Sequence, residues 1–293
     1  MHESPLAQLL REQLPGIPAH DVERFAAALS VDEPYVAPPV PEWVPAGTLA
    51  AARHRSEGVY PGVERGYTLY APRQYRGDAD AALMVFQDGQ RYLGPEANAA
   101  RVLDLLIAQG EMPVTLALFV EPGENGPGLP VYGGTDNRSI EYDSQGERYG
   151  RFLLEELLPE ALAGYRVATA PALRAIAGIS SGGHCAFNAA WERPDVFGKV
   201  MSHCGSFVGI RGGDAWPGRI RREAARPLRV FLQSGARDLD ILYGNWLLAN
   251  RAMAAALAYR GYDAMLEVGE GGHSLRHGGA LLADSLRWLW RET

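Results

Sequence analysis

The stretch Arg174-Ala175-Ile176-Ala177-Gly178-Ile179-Ser180-Ser181-Gly182-Gly183-His184 decides the fold. Its first half carries no charge after Arg174 and reads as a short buried strand. Its second half opens an Ala-rich run to Trp191 that stops near Pro194, the pattern of a helix with its breaker. Between them stands Gly-x-Ser-x-Gly, residues 178–182. A serine in such a strand-to-helix turn is held in a strained conformation with its hydroxyl clear of the sheet, and side chains at the flanking glycines would collide with strand and helix. With 12 serines and 34 glycines in 293 residues, roughly 0.2 such matches arise by chance, so the strand-turn-helix context carries the reading.

Outward from this turn the pattern alternates. Strands are expected at 66–70, 82–86, 114–120, 174–179, 200–203, 228–233 and 264–268, and helices at 97–109, 149–164, 182–192, 246–260 and 278–291. Apolar strands alternating with helices predict an α/β fold with a mostly parallel central sheet and helices on both faces. Ligands of such sheets bind at the carboxyl ends of the strands. Ser180, Asp238 and the turn at Asp88 each follow a predicted strand and are expected on that edge. Residues 1–59 read as an N-terminal extension packed on the body: one or two helices over 4–30, then a Pro-rich connector over 31–47. Residues 60–293 are expected to form the α/β domain that carries the site.

A serine hydroxyl needs a base beside it, and the base needs an orienting acid. After the strand at 228–233 comes Ser234-Gly235-Ala236-Arg237-Asp238, and after the strand at 264–268 comes Gly269-Glu270-Gly271-Gly272-His273. The order serine, acid, histidine is that of a triad on an open α/β sheet. His273 is the candidate base and Asp238 the candidate acid, with Asp240 and Glu270 as competitors. The oxyanion hole needs two fixed N–H donors. The amide of Ser181 is one candidate, and the amide of Gln90, in the turn Gln87-Asp88-Gly89-Gln90-Arg91, is the other. His184 and His203 read as packed residues. His273 and His277 have the spacing of two metal ligands but lack the Glu of H-E-x-x-H and a third ligand, so no metal site is expected.

The chain is long enough for a large core without staples, and Cys185 and Cys204 read as buried free thiols. A formal net charge of −7 argues against nucleic acid as a partner. No apolar run reaches membrane-spanning length and no secretory leader is visible, so a cytoplasmic protein is expected.

Phe86-Gln87-Asp88-Gly89-Gln90, Asn137-Arg138-Ser139-Ile140-Glu141-Tyr142, Gly178 to Gly183, Arg193-Pro194-Asp195-Val196-Phe197 and Gly271-Gly272-His273 occur in that order. Together they resemble the putative-esterase family of α/β hydrolases, which includes enterochelin-type siderophore esterases, feruloyl esterases, esterase D and mycolyltransferases. The resemblance covers about residues 60 to 291. It implies an α/β-hydrolase fold, Ser180 as nucleophile, His273 as base, Asp238 as acid and the amides of Gln90 and Ser181 as oxyanion donors. It places Arg138 near the substrate, where the residues alone read equally well as an ion pair with Glu141 or Asp143. The loop Ile210 to Pro217 is the expected substrate-facing insertion, with Trp216 as a binding residue. The expectation is a serine carboxylic-ester hydrolase working through an acyl-enzyme on a small-molecule ester, without cofactor, with a homodimer allowed by the extension. The alternatives are an acyltransferase on the same fold, a non-catalytic binding protein, and a metal-dependent hydrolase using His273 and His277.

Overall fold

The structure, a computed structural model, describes residues 4–14, 16–124 and 137–292. The strands along these residues are β1 (Thr48–Arg55), β2 (Glu64–Ala71), β3 (Ala82–Gln87), β4 (Thr115–Val120), β5 (Arg174–Ile179), β6 (Lys199–His203), β7 (Arg229–Gly235), β8 (Asp240–Ile241), β9 (Gly244–Asn245) and β10 (Asp263–Gly269). Eight of them form one sheet in the order β1-β2-β4-β3-β5-β6-β7-β10. β2 runs antiparallel to both β1 and β4, and from β4 to β10 every pairing is parallel. This is the α/β-hydrolase fold. The apolar runs at 82–87 and 115–120 are buried along their whole length, as strands covered on both faces must be. Leu103, Leu286 and Trp290 pack with Phe86 and Phe119 on one face of the sheet. Leu153, Leu157, Phe187, Trp191 and Leu257 pack with Val85 and Ile176 on the other.

Several boundaries differ from the sequence reading. The sheet begins at Thr48, inside the stretch expected to be extension. β1 is Ala-rich and exposed along most of its length, so it lacks the apolar alternation that marks a strand. The helix expected over 149–164 contains a π-helical segment, Leu153–Leu157, and the C-terminal helix divides into Arg276–Ala280 and Leu282–Trp290. The N-terminal helices Pro5–Gln13 and Ala19–Leu29 form a third apolar cluster with Val208, Ile210, Leu239, Ile241 and Trp246. In the connector Val44 is buried, whereas Val36 and Trp43 are exposed. No described helix is long and apolar enough to cross a membrane.

Candidate active site

β5 ends at Ile179, and Ser180 follows with φ 58° and ψ −124° before the helix Ser181–Glu192. This is the left-handed side of backbone space, which a non-glycine residue occupies under strain. The strain is held by close packing. A Cβ on Gly178 would lie 2.2 Å from the carbonyl oxygen of Gly182, and one on Gly182 would lie 2.6 Å from Asp88 Oδ2. Ser180 N donates to His203 O at 2.8 Å, tying the turn to β6.

The structure brings Ser180, His273 and Asp238 together from three separate loops at the carboxyl edge of the sheet. His273 Nε2 lies 2.9 Å from Ser180 Oγ, and its Nδ1 lies 2.6 Å from Asp238 Oδ1. Asp238 also accepts the Ser234 hydroxyl at 3.1 Å and its neighbour's amide, Leu239 N, at 2.7 Å. A carboxylate oxygen accepting at Nδ1 keeps the imidazole proton there and aims the Nε2 lone pair at the serine. Asp240 stands apart: it is 59% exposed and pairs with Arg24 at 2.9 Å. Glu270 is exposed and its amide donates to the Tyr35 hydroxyl.

The histidine loop is held by the N-terminal segment, a role the sequence reading missed. His273 N donates to Ala28 O at 2.9 Å. Glu33 Oε1 accepts Gly272 N at 3.0 Å and the Ser274 hydroxyl at 2.8 Å. Tyr35 packs against His277 with ring centroids 4.2 Å apart and planes tilted by 33°, and Phe25 meets the His273 ring edge-on. The loops after β7 are tied down too: Leu242 N donates to Asp21 Oδ2, and Arg237 to Asp32 O.

A cavity of about 230 Å³ opens on Ser180. One wall is apolar, made by Phe25, Leu29, Ile210, Leu239, Ile241 and Trp246; the other carries Asp88, Arg91, Arg138 and Asp143. Burial raises the Asp143 carboxyl above the usual aspartate range. Arg138 lines the cavity, and its partner is Asp88 rather than Glu141: two bonds of 2.8 Å join them. Glu141 is engaged in a fully buried pair with Arg65. Ser206 and Trp246 were not anticipated. Ser206 Oγ lies 3.2 Å from Ser180 Oγ and accepts the Trp246 indole N–H at 3.1 Å.

Two expected site residues have partners that the sequence did not show. Trp216 is buried in the core, donates its indole N–H to His184 Nε2 at 2.9 Å and does not line the cavity. Its loop does reach the cavity, but through Ile210. The amide of Gln90 is already engaged, donating to Glu121 Oε1 at 2.6 Å. Burial raises the Glu121 carboxyl. For Gln90 to receive an oxyanion, this carboxylate must first let go. Ser181 N lies in the first turn of its helix, where amides lack intrahelical acceptors.

His184 and His203 are packed inside, bonded to Tyr142 O and the Tyr92 hydroxyl, and burial lowers both. His277 Nδ1 faces the Gln233 side-chain amide at 3.1 Å, not the serine. Among the described residues the metal-competent grouping is Cys204, Asp238 and His273, whose donor atoms lie within 4.8 Å of one another. The histidine and aspartate donors face each other across a 2.6 Å hydrogen bond, closer than two ligands spanning an ion at ~2 Å each. The buried Cys204 thiol is pushed well up and stays protonated.

A family model described as putative esterase matches residues 59–289. The iron(III) enterobactin esterase of Dickeya dadantii is 25% identical over 77% of this chain, and the chain spans 52% of that protein. The enterobactin esterase of Shigella flexneri, solved in the presence of 2,3-dihydroxy-N-benzoyl-serine, superposes with a TM-score of 0.66 at 21% identity, covering 87% of this chain and 61% of that one. A ferulic acid esterase from Anaeromyces mucronatus superposes with a TM-score of 0.66 at 16% identity, covering 89% and 98%. At these identities the solved structures speak for the fold.

Proposed function

Because the chain belongs to the putative-esterase family, we propose that it hydrolyses carboxylic esters through a serine acyl-enzyme, with Ser180, His273 and Asp238 as its triad. The observation that carries this reading is the unbroken hydrogen-bond chain from Ser180 Oγ through His273 to Asp238. Attack by Ser180 on the ester carbonyl passes the hydroxyl proton to His273 Nε2. Asp238 holds the imidazole tautomer and stabilises the imidazolium. The imidazolium then protonates the leaving alcohol, and the neutral ring activates water against the acyl-enzyme. The tetrahedral oxyanion is received by the amide of Ser181 and, once Glu121 releases it, that of Gln90.

The cavity supports an ester with one apolar, ring-sized arm against Phe25, Leu29 and Trp246 and polar groups toward Arg91 and the Asp88–Arg138 pair. Esters whose acid part carries an aromatic ring have that shape; esters of ferulic acid and of an N-benzoyl-serine, the groups named for the relatives, are of this kind. We place them ahead of acetylated carbohydrates and small aliphatic esters. The test is twofold. Ser180→Ala is expected to lower turnover of an activated aryl ester by about 10⁴-fold or more and to abolish labelling by a fluorophosphonate probe. Retained turnover in this variant rejects the nucleophile. In a panel of aromatic, acetyl and short aliphatic esters the aromatic members should show the highest kcat/KM, and a preference for acetyl esters rejects the substrate class.

A further inference from the structure

A second cavity, of about 560 Å³, lies at the amino ends of the strands, the edge opposite Ser180. Lys199, the first residue of β6, lines it together with Arg226, Arg229 and Asp263. Lys199 is the single lysine among the 28 basic residues of the chain. It is only 5% exposed. Its ammonium nitrogen lies 5.3 Å from the centroid of the Trp290 ring, and among the described residues it meets no carboxylate within ion-pair distance. The acid nearest in the fold is committed elsewhere: Asp263 accepts Arg229 Nε at 2.6 Å and Arg291 Nη2 at 2.5 Å. Arg226 pairs with Glu223 at 3.2 Å and lies 3.9 Å from the centroid of the Trp191 ring.

A buried cation without a carboxylate in ion-pair reach, whose one electrostatically coupled acid, Asp263, is shared with two arginines, is unfavourable unless it loses its proton or gains an anion. We propose that this cleft binds a small oxyanion, phosphate or a phosphate-bearing metabolite, with Lys199 as the central contact and Arg226 and Arg229 adding charge at its sides. A cleft of this size with several cations suits a doubly charged group with many acceptor oxygens better than a single carboxylate. When the cleft is empty, burial, assisted by Arg229 and Arg291, lowers the Lys199 amine to about 8. At neutral pH about one amine in ten is then unprotonated, against fewer than one in a thousand for an ordinary lysine.

The single lysine makes the test direct. Pyridoxal phosphate, an anionic aldehyde, is added at neutral pH and the adduct is trapped with borohydride. The amine attacks the aldehyde carbon, water leaves, and hydride from borohydride reduces the imine to a stable secondary amine. Peptide mass spectrometry separates Lys199 from the α-amino group, which serves as internal reference. Labelling of Lys199 is expected, and millimolar inorganic phosphate should slow it about tenfold relative to the α-amine, as occupancy of a site demands. Sodium chloride at equal ionic strength should not. Stronger protection by glycerol phosphate than by inorganic phosphate identifies a phosphate ester as the ligand class; the reverse identifies free phosphate. Equal slowing of both amines, or equal protection by chloride, overturns the proposal. So does an unchanged phosphate-induced rise in Tm in Lys199→Gln.

Discussion

At the scale of single residues, the decisive difference is between two aspartates two positions apart. Asp238 points into the protein and touches His273; Asp240 points outward to Arg24. Asp238→Asn is expected to reduce kcat by about 10⁴-fold, because the amide stabilises the wrong imidazole tautomer. Asp240→Asn should remain within a few-fold of wild type; steady-state kinetics on an aryl ester decides, and the reverse ranking transfers the acid's role. The meeting of Ser180, His273 and Asp238 was legible in the sequence because each sits in a short local signal: a glycine-flanked turn, or the loop closing an apolar strand. The place of Trp216 and the bond that holds the Gln90 amide were not legible, because both depend on distant partners. An indole in a loop looks like a binding group until His184 is seen to take its N–H in the core. The amide of Gln90 looks free until Glu121, 31 residues on, is seen to hold it. Ser206 and Trp246 likewise have meaning only as a pair aimed at Ser180.

At the scale of elements, the segment from Ala19 to Tyr35 does for the histidine loop what the loop cannot do for itself. Residues 269–273, Gly-Glu-Gly-Gly-His, carry three glycines and are conformationally loose on their own. Glu33 accepts one loop amide and one loop hydroxyl, and Ala28 O accepts His273 N. Glu33→Ala is expected to lower kcat roughly tenfold to a hundredfold through misplacement of the imidazole, with KM little changed. The rate of fluorophosphonate labelling should fall in parallel, while Glu33→Gln, which keeps an acceptor oxygen, should recover most of it. Labelling at the wild-type rate in Glu33→Ala rejects the positioning role. Periodicity announced one or two helices over residues 4–30, but helical spacing says nothing about which loop a helix will cover. β1 escaped notice for a related reason: an edge strand exposed along most of its length has little need of apolar residues, so its sequence does not alternate.

At the scale of the whole molecule, the histidines buried beneath the site set its tolerance of acid. His203 is fully buried beside Tyr92, and burial lowers it to about 3, whereas the unfolded chain titrates near 6.5. Above 6.5 both states are neutral there. Below it only the unfolded chain takes up the proton, so stability declines between about pH 6.5 and pH 3, by about 1.4 kcal/mol per pH unit for this residue. His184 and His277, also lowered by burial, act with the same sign. The urea midpoint of the wild type should therefore fall more steeply from pH 6.5 to 4.5 than that of His203→Gln; parallel slopes reject the assignment. The family match begins at residue 59, yet the sheet begins at Thr48 and the cavity wall begins at Phe25. Evolutionary kinship and physical self-sufficiency thus part ways in this chain. A polypeptide trimmed to the shared stretch would bare the outer rim of β2 to any passing strand, leave the His273 imidazole roofless, and invite aggregation before it could be assayed.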